Sequence, residues 1–195
     1  KSFGKEWQRF DQSKLDKLEL KKIFKDYFKI FPWKLINKKS IGFDMGCGSG
    51  RWAKVVAPRV GMLNCIEPSL AIDVARKNLS QNKNVNFIKL AIEDINLKPG
   101  SQDFGYCLGV LHHTENTQKN LNKCTSLLKK NAPFLVYLYY KFDNKNFIYF
   151  LIWKFSDSFR KLISQFPEVL KILFSDLIAV FIYYPFAKIS LILDK

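Results

Sequence analysis

The sequence predicts an α/β fold: a doubly wound, mostly parallel Rossmann-like sheet with an N-terminal helical cap and a C-terminal helical segment. Two observations carry this. Between residues 40 and 140, short β-prone runs alternate with helical patterns, and strand–helix alternation builds a parallel sheet with helices on both faces. Within that region a glycine-rich turn, Gly46-Cys-Gly-Ser-Gly50, follows the first β run and opens a helical pattern. Open sheets of this class bind ligands at such a turn.

The elements follow in order. Residues 1–37 read as the cap: Leu15, Leu18, Ile23, Phe24, Tyr27, Phe28 and Phe31 recur at roughly helical spacing, and Pro32 should end the helix. Residues 38–140 form the core. Strands are expected over 41–44, 63–67, 86–90, 104–108 and 134–140, and helices over 51–57, 70–78 and 117–129. Residues 141–195 form an apolar helical extension, read as incomplete, with Pro167 opening a helix. Its longest uninterrupted apolar run, residues 177–187, is 11 residues long and contains Pro185. A spanning helix needs about 20 residues, so no clean membrane span is expected. A helical lid is one reading of this extension, and a membrane- or partner-binding hairpin is the other.

Composition narrows the function classes. The chain has 195 residues, 48% of them apolar, enough for a substantial core. Cys47, Cys65, Cys107 and Cys124 lie far apart and the two histidines are adjacent. The usual zinc-ligand spacing is therefore missing, no metal is expected, and reduced thiols in a cytoplasmic protein are the simplest reading. The chain opens on Lys1 with no signal-peptide pattern and reads as a fragment. The net charge is +15, but nearly all of it is lysine, spread along the chain. Nucleic-acid readers favour the guanidinium fork, so a nucleic-acid partner is not favoured.

The glycine turn carries the functional signal. Gly48, Gly50 and Ala53 fit the G-x-G-x-x-A dinucleotide pattern. Asp44 argues against that reading, because a carboxylate beside the loop would repel a pyrophosphate. It suits instead a ligand carrying positive charge there, such as an ammonium or a sulfonium. Glu67 stands 23 residues further on at the end of the second strand, where an acidic side chain can accept from both ribose hydroxyls.

At these residues the sequence resembles a known family. Phe43-Asp-Met-Gly-Cys-Gly-Ser-Gly50 is similar to the first motif of the class I S-adenosylmethionine-dependent methyltransferases of the small-molecule, methyltransferase-11-like type. Cys65-Ile-Glu-Pro-Ser69, Leu90-Ala-Ile-Glu-Asp-Ile95 and Phe104-Gly-Tyr-Cys-Leu-Gly-Val-Leu-His-His-Thr114 resemble the later motifs in order. The resemblance implies S-adenosylmethionine as cofactor and S-adenosylhomocysteine as product. It implies that Gly46, Gly48 and Gly50 cradle the methionine part, with Asp44 near its ammonium and the Leu108 carbonyl facing the same group. Glu67 would bind the ribose, and Pro68, the Ile92 amide, Glu93 or Asp94 the adenine. The Asn131–Ala132 turn lacks the glycines usual before the fifth strand, and no convincing pair of further strands follows it.

For the chemistry, His112 and His113 lie just past the fourth strand, and either could serve as wall or base. Cys107 reads as a buried structural thiol. Trp7, Phe10, Tyr139 and Tyr140 are candidates for an acceptor pocket or plain core aromatics. The reading is a methyltransferase acting on a small-molecule or lipid- or glycan-linked acceptor, with oxygen favoured. It is placed in the cytoplasm or peripherally at the inner membrane face, with membrane contact through residues 141–195. An RNA methyltransferase, or a non-catalytic S-adenosylmethionine-binding or membrane-associated module, is the alternative. The oligomeric state is left open.

Overall fold

A computed structural model describes residues 16–139 and 146–193. Trp7, Phe10 and Tyr140, and the cap residues up to Leu15, lie outside the described residues. The chain divides into two compact units, Lys1–Tyr139 and Tyr140–Lys195.

The first unit holds a five-stranded, all-parallel sheet in the order β3-β2-β1-β4-β5. Its strands are β1 (Ile41–Met45), β2 (Met62–Ile66), β3 (Val85–Ile88), β4 (Phe104–Leu108) and β5 (Phe134–Tyr137). Reciprocal size matching fixes the central register. Gly42 pairs with Phe104 and Phe43 with Gly105. A Cβ on Gly42 would lie 2.3 Å from the Phe104 ring, and one on Gly105 would lie 2.3 Å from the Phe43 ring. Each glycine thus makes room for its neighbour's phenylalanine, so a slip of one residue would collide two rings.

Alternation along the strands divides the core between the two faces. Leu63, Cys65, Phe104 and Tyr106 join one buried cluster, while Phe43, Met45, Ile66 and Cys107 join the other. The first face is covered by α1 (Lys17–Tyr27), the short α2 (Ala53–Val56) and α3 (Ala71–Asn78); α4 (Thr117–Leu127) covers the second. Leu20, Phe24, Phe28 and Phe31 from the N-terminal segment enter the first cluster, so this segment packs as part of the sheet unit. Helix α1 stops at Tyr27, before Pro32, as the chain turns to set Phe28 and Phe31 edge to face at 5.8 Å. Asn131, in the turn into β5, adopts a left-handed φ of 64°. Asparagine tolerates that conformation best among residues with a side chain, so the turn into β5 forms without glycine.

The described part of the second unit is helical: α5 (Phe147–Ser164), α6 (Glu168–Ile178), a π segment (Ala179–Tyr183) and α7 (Tyr184–Leu193). The Asn146 side chain caps α5 by accepting from the Tyr149 N–H at 3.0 Å. Pro185 does not break the chain as the sequence suggested. The helix runs unbroken over Glu168–Ile192, 25 residues, and by length and composition it is apolar enough to cross a membrane. The expectation of no clean span is corrected on that point. The physical reason lies in the π segment just before Pro185. A proline clashes with the carbonyl four residues back, and widening that turn relieves the clash without ending the helix.

Candidate functional site

Strand order reverses between β1 and β4, and the site forms at the carboxyl ends of β1, β2 and β4. A cavity of about 370 Å³ opens there. Its wall is built from the loop after β1, the ends of β2 and β4, and the segment after β3.

The loop turns at Gly46, whose φ is +75°. A Cβ at that position would lie 2.3 Å from a Val110 methyl, so only glycine fits this close crossing of the two loops. The loop amides have committed partners. Gly46 and Cys47 both donate to the Ile66 carbonyl, at 2.8 and 3.1 Å, and Gly48 donates to Glu67 Oε2 at 3.2 Å. A dinucleotide pyrophosphate needs such amides free. Here three of them are committed to the end of β2 and to Glu67, which argues against the dinucleotide reading.

Glu67 lies one residue beyond β2. The Ser69 N–H donates to its Oε1 at 3.0 Å while Gly48 holds Oε2. Each oxygen retains a further lone pair, and the carboxylate lines the cavity. Gly48 and Glu67 therefore act as one piece: the loop orients the acid.

Asp44 lies beneath the loop, 2% exposed, and does not line the cavity. Its Oδ2 is sealed from solvent and has no hydrogen-bond partner among the described residues. Burial pushes the carboxyl from 3.8 up to about 8. The Tyr106 hydroxyl beside it eases this, although the two do not reach ordinary hydrogen-bond geometry; Glu67 raises the value further and Arg51 lowers it. An orphaned buried carboxyl under a cavity floor is a group awaiting a cation.

The sequence reading missed Arg51 and Trp52, which also line the cavity. The Arg51 guanidinium lies 4.2 Å from the Trp52 ring centre. Partial burial lowers its pKa, which Tyr27 and Asp44 oppose. Its place directly after the glycine turn was the available signal.

Gly46, Gly48, Glu67, Pro68, Ile92, Glu93, Leu108 and His113 all line the cavity. The amide of Asn120 donates to Glu93 and, as the main cause, lowers its pKa. Four other expected residues do not line it. Gly50 is turned toward α3, where a Cβ would lie 2.8 Å from Leu79; Asp94 is exposed beyond Glu93. Asp44 lies beneath, as described. His112 stacks on Tyr139 at 4.1 Å, with both ring nitrogens sealed and unpartnered among the described residues, and burial lowers its pKa. The 3-10 turn Leu111–His113 thus sends the two histidines different ways, and His113 is the one facing the cavity. Cys107 is fully buried, and burial raises its thiol pKa far above the ordinary range.

An aromatic arc joins two points of the cavity wall. From Trp52 it passes to Tyr27 (4.9 Å between ring centres), Tyr137 (5.6 Å), Tyr139 (6.0 Å), His112 (4.1 Å) and His113 (4.1 Å). Tyr27, Tyr137 and Tyr139 remain open to solvent.

Comparison with known proteins places this geometry. The chain is 26% identical over 106 residues to a ubiquinone biosynthesis O-methyltransferase of Coxiella burnetii (strain RSA 493 / Nine Mile phase I), a match covering 53% of this chain and 44% of that protein. The chain thus matches less than half the length of its curated relatives. Among solved structures, the YcgJ protein of Bacillus subtilis shares the fold at a TM-score of 0.51 and 21% identity, over 60% of this chain and 48% of the other. The cyclase SpnF shares it at 0.50 and 14% identity, over 57% of this chain and 42% of that one; the fold alone therefore does not fix the reaction. The family model described as a methyltransferase domain matches residues 43–136. That match lies on the five-stranded sheet, so this part of the chain is similar to a methyltransferase domain in both sequence and strand order.

Proposed function

We propose that the chain binds S-adenosylmethionine in the cavity at the β1–β4 switch point and transfers its methyl group to an oxygen of a small-molecule or lipid-linked acceptor. One observation carries the reading: Glu67 is held at the cavity wall by the amides of Gly48 and Ser69, with the orphaned Asp44 carboxyl under the same floor. Those residues fit a nucleoside that carries hydroxyls at one end and an amino acid at the other. Glu67 accepts from the ribose hydroxyls. Asp44 meets the ammonium, directly or through water, and Arg51 complements the carboxylate. Pro68, Ile92 and Glu93 flank the base. When bound, the cofactor supplies an electrophilic methyl group on a sulfonium.

The chain's own contribution is placement and proton handling. His113 stands at the cavity wall past β4 and takes the proton from an acceptor hydroxyl. The aromatic arc offers a flat apolar seat for an acceptor with a planar or hydrocarbon body. The O-methyltransferase relatives in Coxiella burnetii support oxygen as the methylated atom. Titration calorimetry tests the reading: S-adenosylhomocysteine should bind with micromolar affinity and NAD should not. Binding of NAD in its place would overturn it.

A further inference from the structure

We infer that the second unit embeds in a phospholipid bilayer, with Glu168–Ile192 crossing the hydrocarbon and α5 lying along the interface. The inference stands apart from methyl transfer and rests on the helices alone.

Length is the first argument. Twenty-five residues at a rise of about 1.5 Å reach about 37 Å, against a hydrocarbon thickness of about 30 Å. Among the described residues, no part of the most apolar window of this helix is buried. Phe181, Ile182 and Phe186 are more than half exposed, and water is a costly neighbour for them.

Charge placement is the second. Between Lys171 and Lys188 the only charged residue is Asp176. A stretch of about 20 residues ending at Ile192 begins at Leu173. Asp176 then lies about 4.5 Å and Lys188 about 6 Å inside the two ends of that stretch, so no charge falls near its middle and the long stem of lysine lets its ammonium snorkel to the headgroups. The π turn before Pro185 keeps the helix continuous at the centre, as a lipid environment requires of the backbone.

Helix α5 gives the third. Its first seven residues, Phe147 to Trp153, are all apolar or aromatic and exposed, and its later turns carry Lys154, Asp157, Arg160 and Lys161. Such a helix, with tyrosine and tryptophan near charged residues, suits the headgroup boundary. A second copy of the chain is the weaker occupant. Each copy carries +15 and would repel the other, whereas lipid headgroups attract this charge.

Flotation of the full chain with vesicles tests it, using phosphatidylcholine alone and phosphatidylcholine mixed with phosphatidylglycerol. The chain should float with both, and should stay bound in about 1 M sodium chloride and after an alkaline carbonate wash. Ile182→Lys, at the middle of the span, should cut the carbonate-resistant partitioning roughly a hundredfold, while Ile182→Leu should retain it. The thermal transition of the sheet unit, unchanged in both variants, shows that folding is intact. Release by salt or carbonate, wild-type partitioning of Ile182→Lys, or a discrete lipid-free oligomer that ignores vesicles would each overturn the inference.

Discussion

Replacing Asp44 by asparagine separates what this carboxyl costs the fold from what it contributes to binding. In the ligand-free protein, burial holds its pKa at about 8 against an ordinary 3.8. The folded state therefore binds the proton more tightly than the unfolded chain. Relative to the ionised protein, this adds stability that is fully present below about pH 4 and is lost as pH rises through about 8. Near pH 7 the fold must protonate a group that is ionised when unfolded, at a cost of up to about 4 kcal/mol; water entering the cavity lowers the figure. An asparagine side chain is nearly isosteric and has no proton to take up. Asp44→Asn should thus stabilise the ligand-free protein by about 2 kcal/mol or more near pH 7, with the gain vanishing near pH 4. The same change should weaken S-adenosylhomocysteine binding about 10- to 100-fold, since the ammonium loses its charged partner. Wild-type binding should in turn release a proton at neutral pH and strengthen as pH rises toward 8. Urea unfolding at several pH values, and calorimetry in buffers of different ionisation enthalpy, read both effects. Equal stability of the variant at all pH values, or undiminished affinity, would refute the assignment of Asp44 as a buried counter-ion.

Three further outcomes are expected. Glu67→Ala should weaken cofactor binding by roughly 1–3 kcal/mol, because the ribose acceptor is lost and the Gly48 and Ser69 amides lose their partner; calorimetry measures it. Gly46→Ala should destabilise the sheet unit by about 2 kcal/mol or more, since its Cβ meets Val110 at 2.3 Å on a backbone with φ of +75°; thermal melting reads this. His113→Ala should lower turnover about 100-fold or more with little loss of S-adenosylhomocysteine affinity. His112→Ala should act mainly on stability, through its packing on Tyr139, and equal kinetic losses in the two variants would contradict the division of roles.

Much of the sheet was readable from the chain. β1, β2 and β4 were readable as short β-prone runs because both faces of each strand are buried, and the helical spacing of α3 and α4 is regular. Strand ends drifted furthest, by two or three residues, where burial fades: β3 has no buried side chain and β5 only Leu135. Helix α2 shrank to four residues because Pro58 follows so closely. Arg51 was overlooked because its one signal, a place directly after the glycine turn, does not show that the side chain reaches the cavity. No clean span was expected over the Glu168–Ile192 helix because the uninterrupted apolar run is short and contains Pro185, and the π turn that absorbs this proline is a backbone adjustment.

The order of the chain alone determined the glycine turn and the acids at the ends of β1 and β2, and hence the similarity to a methyltransferase domain. These signals are local, each arising from residue types within a few positions of a strand end. Tertiary structure alone decided which of those residues reach the cavity. Adjacent His112 and His113 diverge because a 3-10 turn separates their directions. Asp44 sinks below the floor because strand alternation points it at Tyr106 and Cys65. Gly48 and Glu67 become one device because parallel pairing brings the turn after β1 beside the end of β2. Direction and burial depend on chain segments far apart in sequence, and only folding brings them together.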